Sequence, residues 1–354
     1  MIVINVRNVN TALPLALDNL RVHGVRRSSR NDDVFVFPEP VTTVYRKPTE
    51  RVVFWDQRDA NPFFHLYESL WMLAGRNDVE GPAGYVENMR NFSDDGVTFH
   101  GAYGYRWRRH FNRDQLLEVI RALKANPDDR RQVVSMWDAN ADLGRVGKDL
   151  PCNLQALFQI AVDGRLDMTV TNRSNDLVWG AYGANAVHFS YLMEFVARGI
   201  GVEVGVYRQV SNNLHGYVDT LDKVKDLVVH ADPYSKVYAP LVDPYTQDEV
   251  FAFPLMAYPN AEAWLDELDV FLADPGVVGL RDPFFRRVAG PFLRAHALYR
   301  ALPGEQRYSA ALATLAECAS PDWRRAGEEW IQRRWDRFKQ RRDRARDDGP
   351  NYGD

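Results

Sequence analysis

A cysteine at the mouth of a hairpin is the first group in this sequence equipped for covalent chemistry. Cys152 follows Asp149-Leu150-Pro151 and leads into an alternating run from Leu157 to Val162; Asp163-Gly164 turns the chain, and a second run extends from Leu166 to Thr171. Period-2 alternation on both sides of an Asp-Gly dipeptide predicts a β-hairpin. Such a hairpin brings Cys152, entering one strand, to the same end as Arg173, which leaves the other. A neighbouring guanidinium favours thiolate over thiol, which suits a nucleophile. Taken alone, the cysteine reads first as a small buried hydrophobe.

Glu68 is the second candidate. Asn61-Pro62 supplies a cap and a first-turn proline and Gly75 a stop, so a helix is predicted between them. Phe63, Phe64, Tyr67, Leu70, Trp71 and Ala74 fall on one face, with Glu68 at its edge. An apolar wall disfavours the charged form of a carboxylate, which suits proton transfer. A solvated residue at the edge of a helix face is the plainer reading.

Other elements must position these groups. Met1 to Val6 alternates as a strand, Leu13 to Leu20 reads as a short helix, and Arg26-Arg27-Ser28-Ser29-Arg30 as a basic loop. Asp114 to Ala125 is amphipathic and ends at Asn126-Pro127. Asp128-Asp129-Arg130-Arg131 follows, then a strand from Gln132 to Trp137. Ala186 to Arg198 is an apolar core helix and Val202 to Val210 a strand. Farther on, helices are expected over Ala261 to Leu272, Phe292 to Leu302 and Trp323 to Arg346. The last packs an aromatic stripe of Trp323, Trp330, Trp335 and Phe338 on the core; a basic helix gripping nucleic acid is the alternative. Asp347 to Asp354 reads as a disordered tail.

With 354 residues, 45% of them hydrophobic, the chain can bury a sizeable core. A net charge of −4 gives no general argument for nucleic acid or membrane as partner. Cys152 and Cys318 are the two cysteines and make no disulfide framework, so a reducing cytoplasm is expected. The first residues show neither a signal peptide nor a transmembrane run. No metal-ligand spacing links the two cysteines and eight histidines, and no structural zinc is expected.

Pro151-Cys152, Arg173-Ser174-x-Asp176, a Gly-containing loop, Asn185 and His215-x-Tyr217 occur in that order, alongside matching segments at 61–75, 101–107, 126–137 and 212–217. The set resembles the thymidylate synthase superfamily, which includes the pyrimidine nucleotide hydroxymethylases. The resemblance implies an α+β fold with a large mixed sheet flanked by helices, paired sheet on sheet in a homodimer. Residues 1–235 would form the catalytic domain and 236–346 a helical extension packed on it.

The resemblance also implies the chemistry. Cys152 would add to C6 of a pyrimidine deoxynucleoside monophosphate, so that C5 can take a one-carbon unit from 5,10-methylenetetrahydrofolate. Glu68 would be the general acid/base, and Tyr103, in Gly101-Ala102-Tyr103-Gly104, would join the network handling the proton that leaves C5. Arg173 and Ser174, with Arg130 and Arg131 of the partner subunit, would hold phosphate; Arg27 or Arg30 would add to them. Asp176 would bond the folate, Asn185 with Asn153 behind it would read the base, and His215 and Tyr217 would bond the sugar 3′-hydroxyl.

Two departures matter. Methylating members place tryptophans just before the Gly-x-x-Tyr-Gly motif, whereas here the stretch is Asn91-Phe92-Ser93-Asp94-Asp95, and the C-terminus that closes over folate is replaced. Water would then reach the one-carbon unit, favouring hydroxymethylation. Asn153 stands where uracil-methylating members have histidine, which favours dCMP over dUMP, since an amide suits either base by its flip. The alternatives are a thymidylate synthase with a rebuilt folate pocket and a non-catalytic nucleotide- or nucleic-acid-binding homologue.

Overall fold

The computed structural model describes residues 1–29, 32–225 and 243–347. β1 (Ile2–Val6) leads into α1 (Val9–His23), and then come β2 (Val25–Ser28), β3 (Asp33–Val36) and β4 (Val41–Tyr45). α2 (Pro62–Leu73) and α3 (Gln115–Ala125) precede β5 (Val133–Ser135), β6 (Asn153–Ile160), β7 (Leu166–Asn172) and the short β8 (Asn175–Asp176). α4 (Asn185–Ile200), β9 (Val204–Ser211) and β10 (Leu214–Tyr217) follow. The C-terminal part is helical: α5 (Ala261–Ala273), α6 (Gly290–Ala301), α7 (Gln306–Leu315) and α8 (Pro321–Asp347).

The strands form two sheets, one six-stranded in the order β1-β4-β9-β7-β6-β5, the other four-stranded in the order β2-β3-β10-β8. Both mix parallel and antiparallel pairs, so the architecture is α+β with mixed sheets flanked by helices. The expected hairpin is β6–β7, turned at Gly164 with φ of +79°, a region open to glycine. A register shift between Asn153 and Gln155 bends β6 immediately after Cys152.

The helices obey their local signals. Asn61 Oδ1 accepts from the Phe63 and Phe64 N–H groups at 3.1 and 3.2 Å, and Pro62 opens α2. Asp114 caps α3 through the Leu117 N–H at 3.2 Å. α4 is buried along almost its whole length and packs on α2, α3 and β9. The C-terminal helices join the same apolar cluster, with Phe63 of α2 stacked on Phe292 of α6, ring centres 4.5 Å apart, and edge-on to Trp330 of α8 at 5.5 Å.

Some expectations needed correction. The basic segment at 26–28 is strand β2, paired antiparallel with β3, because Val34 and Val36 bury one side of that ribbon while β2 stays exposed. The strand expected over 132–137 is confined to Val133–Ser135, since Met136 and Trp137 instead donate to the Leu154 carbonyl beside the β6 bulge. Arg30, the segment around 235–236 and residues 348–354 lie outside the described residues.

Candidate active site

The hairpin delivers the predicted pair. The Arg173 N–H donates to the Cys152 carbonyl at 2.9 Å. The Arg173 side chain folds back over the turn before the cysteine, with Nε donating to Pro151 O at 2.8 Å and Nη2 to Leu150 O at 3.1 Å. Cys152 Sγ lies 3.8 Å from the same Leu150 oxygen, so thiol and guanidinium converge on one carbonyl. The cation therefore sits beside the thiol and fixes the loop that carries it.

Tyr103 approaches from the other side. Its hydroxyl oxygen accepts from the Cys152 and Asn153 N–H groups at 3.2 and 3.4 Å. Burial, with Cys152 nearby, pushes this phenol above its usual range and keeps it neutral. Gly104 makes the approach possible, because a Cβ there would stand 2.0 Å from Met72 O of α2. Asp149, half-buried beside this turn, accepts from the Gly101 N–H at 2.7 Å, and its partial burial raises its pKa.

Around the thiol opens a cavity of about 440 Å³ whose wall includes Tyr103, Lys148, Cys152, Arg173, Ser174, Asp176, Asn185, His215 and Tyr217. Through Arg173, Ser174, His215 and Tyr217 it joins a second hollow of about 400 Å³ that adds Arg27, Ser28 and Ser29 of β2 and its flank. Two arginines and three serine hydroxyls make that end fit for an anion. Through Tyr103 and Asn185 the central cavity meets a third, mainly apolar compartment of about 210 Å³, lined by Trp71, Met72, Met89, Phe92 and Phe99 together with Glu68, Asp149 and His188.

A run of asparagines backs the central cavity. Asn153 Nδ2 donates to Asn185 Oδ1 at 3.4 Å, and Asn185 Nδ2 to Asn175 Oδ1 at 3.0 Å. Asn175 Nδ2 reaches Ser211 Oγ at 3.1 Å, and Asn172 Nδ2 donates to Asn153 Oδ1. His215 Nδ1 is 3.0 Å from Asn213 Oδ1, and its ring stands edge-on to Tyr217 with centres 5.5 Å apart.

Asp176 is half-buried at the junction of the central cavity and the chain leading to α4. Its Oδ1 accepts from the Trp179 N–H at 2.5 Å, while Oδ2 has no hydrogen-bond partner among the described residues, and burial raises its pKa. Arg58 lies close by: Nε donates to Val178 O at 2.9 Å, the guanidinium covers the Trp179 ring at 4.1 Å, and burial lowers its pKa to about 10. The exposed Trp179 indole thus stands three residues beyond Asp176, against Arg58 and with its N–H 3.3 Å from Thr220 Oγ1.

The structure thus gathers Cys152, Tyr103, Asn153, Asn185, Arg173, Ser174, Asp176, His215 and Tyr217 around one cavity, with Glu68 in the compartment next to it. It does not bring Arg130 or Arg131 there: Arg131 bonds Asp129 at 2.9 Å and its side chain is 85% exposed. Arg27 lines the anion-friendly hollow. Sequence reasoning passed over His188, whose Nε2 stands 3.1 Å from Glu68 Oε2. The signal was a histidine on the first turn of a largely apolar helix, three residues after Asn185. No cluster of three or more His, Cys, Asp or Glu arranged for a metal occurs among the described residues. Nor is any described helix long and apolar enough to cross a membrane.

Comparison with known proteins agrees with this geometry. The thymidylate synthase family model matches residues 50–250. The deoxyuridylate hydroxymethyltransferase of Pseudomonas phage M6 is 62% identical over 353 residues, covering 99% of this chain and all of that protein. The protein of the same name from Bacillus phage SP01 is 39% identical over 241 residues, covering 60% of this chain and 62% of its own length. A thymidylate synthase of Streptococcus thermophilus is 30% identical over 195 residues, covering 53% of this chain and 65% of its own. With the Cys152 hairpin inside the matched region, the chain belongs to the thymidylate synthase family of one-carbon transferases.

Proposed function

We propose that this protein is a deoxyuridylate hydroxymethylase, moving a one-carbon unit from 5,10-methylenetetrahydrofolate to C5 of dUMP and finishing the reaction with water. The observation that carries the reading is the single cavity in which Cys152, Arg173, Ser174, Asn185, His215 and Tyr217 meet and open toward Glu68. The names of the two phage relatives support the hydroxymethyl product, and they support dUMP as the base in place of dCMP, which Asn153 had favoured. Asn185 is compatible with uracil because its amide offers one donor and one acceptor.

In this reading the thiolate of Cys152 adds to C6, held by the turn that Arg173 and Tyr103 fix. Arg173, Ser174 and Arg27 take the phosphate, and His215 with Tyr217 the deoxyribose. Arg130 and Arg131 reach the phosphate of a partner subunit in a homodimer. The residues present fit a folate: Asp176 has a buried carboxylate oxygen without a partner among the described residues, and Trp71, Met89, Phe92 and Phe99 offer an apolar wall. The folate supplies the carbon at formaldehyde oxidation level. The enzyme acts on free nucleotides in the cytoplasm.

The test is the product's mass after incubation of the full chain with methylenetetrahydrofolate and dUMP or dCMP. A gain of CH₂O on dUMP alone is expected. A gain of CH₂ with dihydrofolate formed would make the protein a thymidylate synthase, and hydroxymethylation of dCMP alone would restore the other base.

A further inference from the structure

Glu68 has a neighbour that no motif announced. His188 lies on the first turn of α4, three residues after Asn185 and on the same helical face, and its side chain is only 4% exposed. Its Nε2 is 3.1 Å from Glu68 Oε2 but out of line for a hydrogen bond, and has no other partner among the described residues. A buried imidazole nitrogen without a partner is costly, and it persists where another group is to be met. Both side chains face the compartment walled by Trp71, Met72 and Phe99, which touches the central cavity at Asn185 and Tyr103.

We propose that His188 is a positioning residue for the water step, holding the Glu68 carboxylate so that it takes the proton from the attacking water. This rests on the hydroxymethylase reading. In the step, the water oxygen bonds to the exocyclic methylene carbon at C5 while the C5=CH₂ pair moves onto the C4 carbonyl oxygen. The water's proton goes to Glu68. The pair on O4 then re-forms C5=C6 and expels the Cys152 thiolate from C6, leaving a hydroxymethyl group. Nothing is oxidised or reduced.

Several features place this work at His188. Apart from Tyr103, Asp149 and Asn185, the rest of the compartment's wall is mainly apolar, so a water there needs fixed polar partners. An imidazole packed 3.1 Å from a carboxylate oxygen restrains the carboxylate's rotation. His65, a buried histidine of α2, has its ring 6.3 Å from that of His188, and burial first, then Arg58 and His188, hold it well below its usual pKa and neutral. His65 therefore adds no competing charge to the pair.

By microscopic reversibility the same step can be read without folate. Full-length protein given 5-hydroxymethyl-dUMP in ¹⁸O water should exchange the hydroxymethyl oxygen, because Cys152 adds to C6 and water leaves and returns. For His188→Gln and, as a smaller replacement, His188→Ser, the exchange kcat should fall at least about tenfold with the loss in kcat rather than in KM for the nucleotide. Glu68→Gln should lose at least as much. Exchange as fast as wild type in either folded His188 variant, or a rise in KM with kcat held, would overturn the inference. A forward assay run alongside separates the two readings. Wild type forming hydroxymethyl-dUMP with unaffected variants sinks the role of His188 alone, whereas wild type forming a bare methyl product sinks both.

Discussion

Asn153 and Asn185 are joined side chain to side chain, Nδ2 to Oδ1 at 3.4 Å, and Asn175 takes the other end of the Asn185 amide at 3.0 Å. Each atom of the Asn185 amide keeps one further hydrogen-bonding capacity for a ligand, so it can accept from uracil N3–H and donate to O4. An ionised aspartate only accepts, which repels O4 and suits the amino group of cytosine. Asn185→Asp should therefore shift the kcat/KM ratio of dUMP to dCMP toward dCMP by about 100-fold or more. Competition between the two nucleotides in one tube measures it; an unchanged ratio would remove Asn185 from base reading.

Cys152→Ser should abolish turnover, at least about 10³-fold or ~4 kcal/mol in the barrier, because a hydroxyl beside Arg173 does not ionise at neutral pH. The turn itself is held by Arg173 and Tyr103 through backbone atoms, so the pocket should persist. Calorimetric titration with dUMP is expected to show binding in the variant. Loss of binding together with turnover would instead mean that the thiol holds the pocket's shape.

Local signals made the hairpin, α2 and α3 legible, since Asp163-Gly164, Asn61-Pro62 and Asp114 each determine their own turn or cap. The small sheet was not legible: β3 meets β10 across about half the chain, and no residue near Val34 or His215 announces the other. The same limit hid the neighbours of the site. Cys152, Arg173 and Asp176 lie along one continuous stretch, whereas Glu68 with His188 and Arg58 with Trp179 are brought together only by packing of distant segments.

Arg51 and Glu194 form an ion pair with both side chains 3% exposed, and Glu194 Oε1 also accepts from the Leu255 N–H at 2.9 Å. Glu194→Ala would strand a buried cation and an amide at the junction of α4 with the C-terminal part. A loss of about 3–5 kcal/mol in unfolding free energy is expected. Replacing both partners, Arg51→Met with Glu194→Leu, should recover most of it, because the cost lies in leaving one charge alone. Urea titration of the three proteins tests this.

Asp59 gathers Arg333, Arg334 and Arg337 of α8, with contacts of 3.1 to 3.3 Å. Burial works to raise its pKa, but the hydrogen bonds and charges of these arginines prevail and the value is lowered. A carboxylate depressed on folding adds stability that is complete above its unfolded pKa of about 3.9 and lost as pH falls through the folded value. Asp59→Asn should thus be less stable by about 0.5–1 kcal/mol at pH 7, the partial exposure of the pair limiting the effect. The gap should close on acidification below about pH 4. Melting temperatures across that range decide it; a gap that stays constant would show that the arginines do not act through the charge of Asp59.

Arg131 stands exposed at the start of β5, where Val133 and Leu157 lie opposite each other and are 40% and 36% exposed. An uncovered apolar pair on the large sheet suits a second copy, which would carry Arg130 and Arg131 toward another chain's phosphate end. Arg131→Ala and Cys152→Ser should each be nearly inactive alone, yet regain activity when unfolded and refolded together. A mixed dimer pairs the intact Cys152 of one chain with the intact Arg131 of the other in one of its two sites. Random mixing at equal amounts should restore about a quarter of wild-type activity. No recovery in material shown by mass spectrometry to contain mixed dimers would mean that Arg131 serves its own chain or none.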